Sequence, residues 1–68
     1  MTYEEYKNRV IESLRKWKAY ASMTEKEMAD YIAEYEDVIK AEYNDNTRRL
    51  KDKTQADMLA ATTAYNIA

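Results

Sequence analysis

Residues 24–47 read TEKEMADYIAEYEDVIKAEYNDNT, and this stretch decides the fold class. Met28, Ile32, Tyr35, Ile39 and Tyr43 recur at steps of four, three, four and four, the spacing of one face of an α-helix. Tyr31 and Val38 run along the edge of that face, and Glu42 falls within it. Thr24 followed by Glu27 is a capping box, in which a hydroxyl and a carboxylate each satisfy a free backbone N–H of the first turn. At the other end Asn44, Asp45, Asn46 and Thr47 favour caps and turns over helix interiors. The spacing predicts a helix over 25–44.

The opposite side of this helix is acidic. Glu27, Asp30, Glu34, Asp37 and Asp45 follow at gaps of three, four, three and eight, one stripe interrupted only by Ala41. Carboxylates at these spacings repel by a few tenths of a kcal/mol per pair, roughly, and no Lys or Arg shares the stripe. The expectation is that something outside the helix answers the charge.

On the N-terminal side, Thr2 and Glu5 form a second capping box. Tyr3, Tyr6, Val10, Leu14, Trp17 and Ala21 recur behind it at threes and fours, with Ile11 and Tyr20 widening the face. This predicts a helix over 3–21, with Trp17 as a core anchor. Its solvent side reads as self-neutralised, Glu5 preceding Arg9 and Glu12 preceding Lys16 by four residues. The short turn at Ser22, Met23 and Thr24 then implies an antiparallel helical hairpin.

On the C-terminal side, Leu50, Thr54, Met58, Ala61 and Tyr65 continue an apolar line and predict a helix over 47–66. The alternative is a single bent helix from Thr24 to about Tyr65, roughly 60 Å long at 1.5 Å per residue. Small residues dominate this segment (Ala56, Ala60, Ala61 and Ala64), which permits close helix approach. Leu59 and Ile67 fall off the line. Apolar residues on two sides of a helix suggest contact on two sides, hence a homo-oligomer.

Composition points the same way. The chain of 68 residues contains neither Gly nor Pro, the punctuation that a β-rich fold demands. It is therefore read as one all-α domain, 1–68, a small helical bundle completed by self-association. A chain this short buries only about 60% of its unfolded surface. With no Cys and no His, disulfide and zinc staples are excluded. Leu, Ile and Val together number nine, so seven tyrosines and Trp17 must supply apolar bulk, each hydroxyl reaching for water or a partner. The opening Met-Thr-Tyr-Glu-Glu is the reverse of a signal peptide, and no apolar run approaches a membrane span. A soluble cytoplasmic protein without membrane contact is expected.

Charge is segregated along the chain. Residues 1–22 carry five basic and three acidic side chains, 24–45 two and eight, and 46–68 four and two. Catalysis has no foothold, since the two serines lack a histidine base and a chain without glycine cannot form a phosphate-cradling loop. Glu27, Asp30 and Glu34 offer oxygen ligands, but on a face turned away from the core and without histidine, so neither metal nor cofactor is expected.

The reading that remains is a non-enzymatic protein-binding module. It docks the acidic, Tyr-flanked helix on a basic surface of a partner, nucleic-acid-binding surfaces among the candidates, through Glu27, Asp30, Glu34, Asp37, Asp45, Tyr20, Tyr31 and Val38. Direct binding of nucleic acid by this acidic chain is not expected. Arg48, Arg49, Lys51 and Lys53 are assigned to anion or intersubunit contacts, or to folding back on the stripe. Two alternatives belong to other classes: a self-assembling structural helical module, and an oligomeric sponge for an anionic nucleotide. In size and charge the chain is similar to the small phage-encoded anti-CRISPR and anti-defence inhibitors, a likeness carried by no motif. It implies an inhibitor that occupies a nucleic-acid-binding groove.

Overall fold

The computed structural model describes residues 1–68. Helix makes up 79% of the chain and no strand is present, so the all-α class holds. In order the elements are α1 (Tyr3–Leu14), α2 (Lys18–Ala21), α3 (Glu25–Glu34), α4 (Glu36–Asp45), a 3₁₀ turn (Arg49–Lys51) and α5 (Lys53–Ile67).

Both capping boxes form as the sequence dictates. Thr2 Oγ1 accepts from the Glu5 N–H at 3.2 Å while Glu5 Oε1 accepts from the Thr2 N–H at 3.4 Å. Thr24 and Glu27 repeat the arrangement at 3.1 and 3.0 Å. The break at Asn46 is real: the α4 helix stops at Asp45 and the Asn46 side chain donates to the Glu42 carbonyl at 2.8 Å.

Three boundaries differ from the spacing-based expectation. The first helix ends at Leu14, not near residue 21, because the chain turns at Arg15 and Trp17 is extended (φ −93°, ψ 139°). The Arg15 guanidinium holds this reversal by donating to the carbonyls of Tyr20, at 3.0 Å, and Met23. The second helix divides at Tyr35 (φ −109°, ψ 12°), whose N–H bonds back only three residues, to Ile32. A straight helix over 25–45 would be about 31 Å long, nearly the whole 33 Å length of the molecule. The division lets one apolar stripe reach two neighbours: α3 meets the end of α5, where Tyr31 donates to the Ile67 carbonyl at 3.0 Å, and α4 lays Tyr43 between Tyr3 and Tyr6. The third helix starts with its own cap at Asp52, not at Thr47, the carboxylate accepting from Thr54 and Gln55 N–H at 2.9 and 3.2 Å. The 33 × 21 × 18 Å extents exclude the long bent rod.

The main packing is between α1 and α5, the first helix and the last, and not between α1 and the helix that follows it. Tyr6, Val10 and Leu14 are fully buried against Ala56, Ala60 and Ala64. Alanines one turn apart let the bulky α1 face approach closely, and each fully buried Val or Leu contributes about 1.5–3 kcal/mol. Met28, Ile32, Ile39 and Leu50 complete the core. The face of α5 is turned from the expected one. Ala56, Ala60, Thr63, Ala64 and Ile67 point inward with Leu59 beside them, while Met58 and Tyr65 are 65% and 74% exposed. The fresh start at Asp52 resets the helical phase, so a line extrapolated from the second helix lands outside. Trp17, expected as a core anchor, sits beyond the end of α1 and is exposed.

Candidate functional site

The acidic stripe survives as an exposed face, but its members differ. The carboxylate of Glu27 closes the α3 capping box, and the N–H and hydroxyl of Thr24 hold it below the usual carboxylate range. Asp30 lies 3.6 Å from Lys26, one turn earlier and outside the stripe, with both side chains largely in water. Such a pair contributes little, at most about 1 kcal/mol. Glu34, Asp37 and Asp45 are exposed and make no ion pair.

Glu34 is the last residue of α3 and Asp45 the last of α4, and neither helix has a basic residue in its final turn. Carboxylates at the carbonyl end of a helix oppose its dipole, at a cost of about 0.3–1 kcal/mol each. Asp37, in the first turn of α4, is placed favourably. The result is a solvent-facing row centred on the Tyr35 bend, with Val38 exposed beside it.

Tyr20 and Tyr31, grouped with this face from the sequence, are engaged within the fold. Their hydroxyls lie 3.1 Å apart and their ring centroids 5.2 Å, and Tyr31 in turn holds the Ile67 carbonyl. Burial, followed by the bond to Tyr20, raises the Tyr31 pKa. Both tyrosines are half-buried and pack against the core. Val38 is then the apolar contact that the acidic face retains.

Arg48, Arg49, Lys51 and Lys53 are all exposed around the 3₁₀ turn and the start of α5, and none pairs with the stripe. Of the four, Arg49 lines a shallow depression, with Gln55, Met58, Leu59 and Thr62. On α1 neither the expected Glu5–Arg9 nor the Glu12–Lys16 pair forms, and two of the helix's basic residues reach other helices instead. Arg9 pairs with Asp57 of α5, and Lys7 lies 3.9 Å from both Glu4 and Glu36. Reaching another helix satisfies these charges in a less watery setting than an exposed turn of their own helix.

Sequence reasoning missed Arg15, whose role depends on where the chain turns, and it placed Met58 and Tyr65 inside. The signal for the latter was present: no charge occurs from Met58 to Ala68. No three acidic side chains converge where they could hold a metal ion, and no helix is long and apolar enough to cross a membrane. The chain matches no family model, and no curated protein and no solved structure matches it.

Proposed function

We propose that this chain is a protein-binding module that presents the acidic face around the Tyr35 bend to a basic surface on another protein. Glu34, Asp37 and Asp45 carry the charge and Val38 adds an apolar contact, with Asp30 and Glu27 extending the row. The observation that carries this reading is the position of Glu34 and Asp45 at the carbonyl ends of two helices, exposed and without ion pairs, where the dipole of the helix they end opposes a carboxylate. Residues that break a local rule without structural gain mark surfaces kept for another purpose.

Complementary fields steer association and select the partner more than they add affinity. Carboxylates one helical turn apart, about 5–6 Å, approximate the spacing of phosphates along a strand. A partner whose basic groove holds nucleic acid is therefore the class that fits, and the chain acts there as an inhibitor by occupying the groove.

The test is affinity capture from the native host with the wild-type chain and with Glu34→Lys/Asp37→Lys. The two substitutions have opposite dipole effects, so the double variant keeps the wild-type circular dichroism and Tm while the basic partner is lost. Capture also weakens as ionic strength rises through the range in which the screening length falls from about 30 to 3 Å. If the double variant unfolds, or capture ignores both charge reversal and salt, the reading fails.

A further inference from the structure

The outward face of α5 is unlike the rest of the surface. Charged residues make up 35% of the chain, yet the stretch from Met58 to Ala68 has none. Thr54, Met58, Ala61, Tyr65 and Ala68 follow at steps of four, three, four and three, the seam spacing of helices that pair with helices, and all five are exposed. Met58 and Tyr65 project from the seam with the small Ala61 between them. At its far end Trp17 and Tyr20 join Tyr65 and Ala68 around a shallow apolar depression.

The geometry points to a second copy of this chain as the occupant, its α5 lying antiparallel to the first across a two-fold axis at Ala61. The seam is self-complementary in that orientation. Met58 of each copy faces Tyr65 of the other, a thioether against an aromatic ring, and Ala61 against Ala61 lets the helix axes approach closely.

Charge selects the direction. Arg48, Arg49, Lys51 and Lys53 all lie at the N-terminal end of α5, exposed and without ion pairs. Parallel pairing would set two such clusters side by side. Antiparallel pairing lays each cluster beside the carbonyl end of the other copy's helix, where the dipole favours cations.

Area sets the strength. Tyr65 at 74%, Met58 at 65% and Trp17 at 36% exposure leave on the order of 350 Å² of large side chain in water per copy. Ala61 between them is bordered by Arg9, Glu12, Lys16 and Asp57, so the apolar part of the face stays below the roughly 600 Å² per side at which specific interfaces begin. The dimer is accordingly weak and concentration-dependent. It rests on α5 with Trp17 and Tyr20 at its far end, so its failure would leave the acidic face of α3 and α4 untouched.

The chain has no cysteine, so single-cysteine variants report the pairing directly. Sedimentation equilibrium from low micromolar to millimolar protein is expected to show the mass rising from one chain to two. Ala61→Arg, at an exposed position clear of the core, holds it at one chain with helical content unchanged. Under mild oxidation Ala61→Cys gives a covalent dimer faster than Asn8→Cys, an exposed control on α1. Thr54→Cys does not, because antiparallel pairing separates the two copies of residue 54 by about 20 Å along the axis. A single-chain mass at every concentration, or undiminished association of Ala61→Arg, overturns the proposal and assigns the face to a different protein. Cross-linking of Thr54→Cys as fast as Ala61→Cys would overturn the antiparallel arrangement.

Discussion

The Tyr6 hydroxyl lies 2.6 Å from Thr63 Oγ1, across 57 residues of chain, and donates to the Leu59 carbonyl at 3.3 Å. It is the polar junction inside the α1–α5 interface, where both residues are buried. Tyr6→Phe leaves the Thr63 hydroxyl without its partner and is expected to destabilise by about 1–3 kcal/mol. Thr63→Val is expected to cost a similar amount. The double variant should cost less than the two combined, because each single change strands the other group. Urea unfolding followed by circular dichroism measures all three.

Arg15 is the bracket of the chain reversal after α1. Its guanidinium holds two carbonyls at once, a geometry that an ammonium on a flexible stem does not reproduce. Arg15→Lys is expected to destabilise by about 1 kcal/mol and Arg15→Met by roughly twice that. Hydrogen exchange should quicken first between residues 17 and 24, ahead of the α1–α5 interface.

Acid should loosen both capping boxes. The carboxyl groups of Glu5 and Glu27 are held below their ordinary value of 4.5, mainly by the N–H groups of Thr2 and Thr24. A carboxyl with a depressed folded-state pKa stabilises above its unfolded value and loses that contribution as pH falls through the folded one. Stability should therefore decline below about pH 4.5. Glu5→Gln and Glu27→Gln should each flatten the acid limb of a Tm-versus-pH curve.

Alkali acts through the buried tyrosines, and burial raises the pKa of Tyr3, Tyr6 and Tyr31 alike; Tyr3 is the one whose hydroxyl can be removed without stranding a partner. Burial, then the nearby Glu36 carboxylate, pushes its pKa from 10.0 up to about 12, and its buried hydroxyl has no hydrogen-bond partner. The folded state thus holds this proton more tightly than the unfolded chain. The contribution is complete below pH 10 and lost as pH climbs toward 12. Tyr3→Phe keeps the ring against Tyr43 and under the ammonium groups of Lys7 and Lys40. It should leave neutral-pH stability unchanged or higher and make the alkaline limb shallower, as read by thermal melts alongside ultraviolet titration of tyrosinate.

Local signals in the sequence were reliable where they depend on local chemistry. Thr2 with Glu5 and Thr24 with Glu27 mark two helix starts, and the Asn44–Thr47 run marks an end, because each is settled within one turn of backbone. The stripe of Met28, Ile32 and Ile39 also keeps its face through the bend, since the two halves remain in register. What escaped depends on distant partners. Arg15 ends a helix by reaching carbonyls that only the fold brings near, and Tyr35 bends one so that its halves meet different neighbours. The face of α5 is chosen by fit against Tyr6 and Val10: close approach of two helices favours Ala60 and Ala64 over Met58 and Tyr65, against the ranking by hydrophobicity. The acidic face was legible as a pattern, whereas the division of labour within it, with Glu27 capping and Asp30 paired, is set by side-chain geometry in the fold.

The pairing of α1 with α5 also governs how this chain can fold. Most helical proteins of this size gain their first stable contacts between consecutive helices and assemble quickly. Here α1 has its main partner in α5, so nearly all of the residues between them must be looped before the principal contact forms, at an entropic cost that grows with the logarithm of the loop. No shorter N-terminal fragment contains both sides of the core. The domain therefore folds as one cooperative unit, and while α5 is missing Tyr6, Val10 and Leu14 lack their main cover.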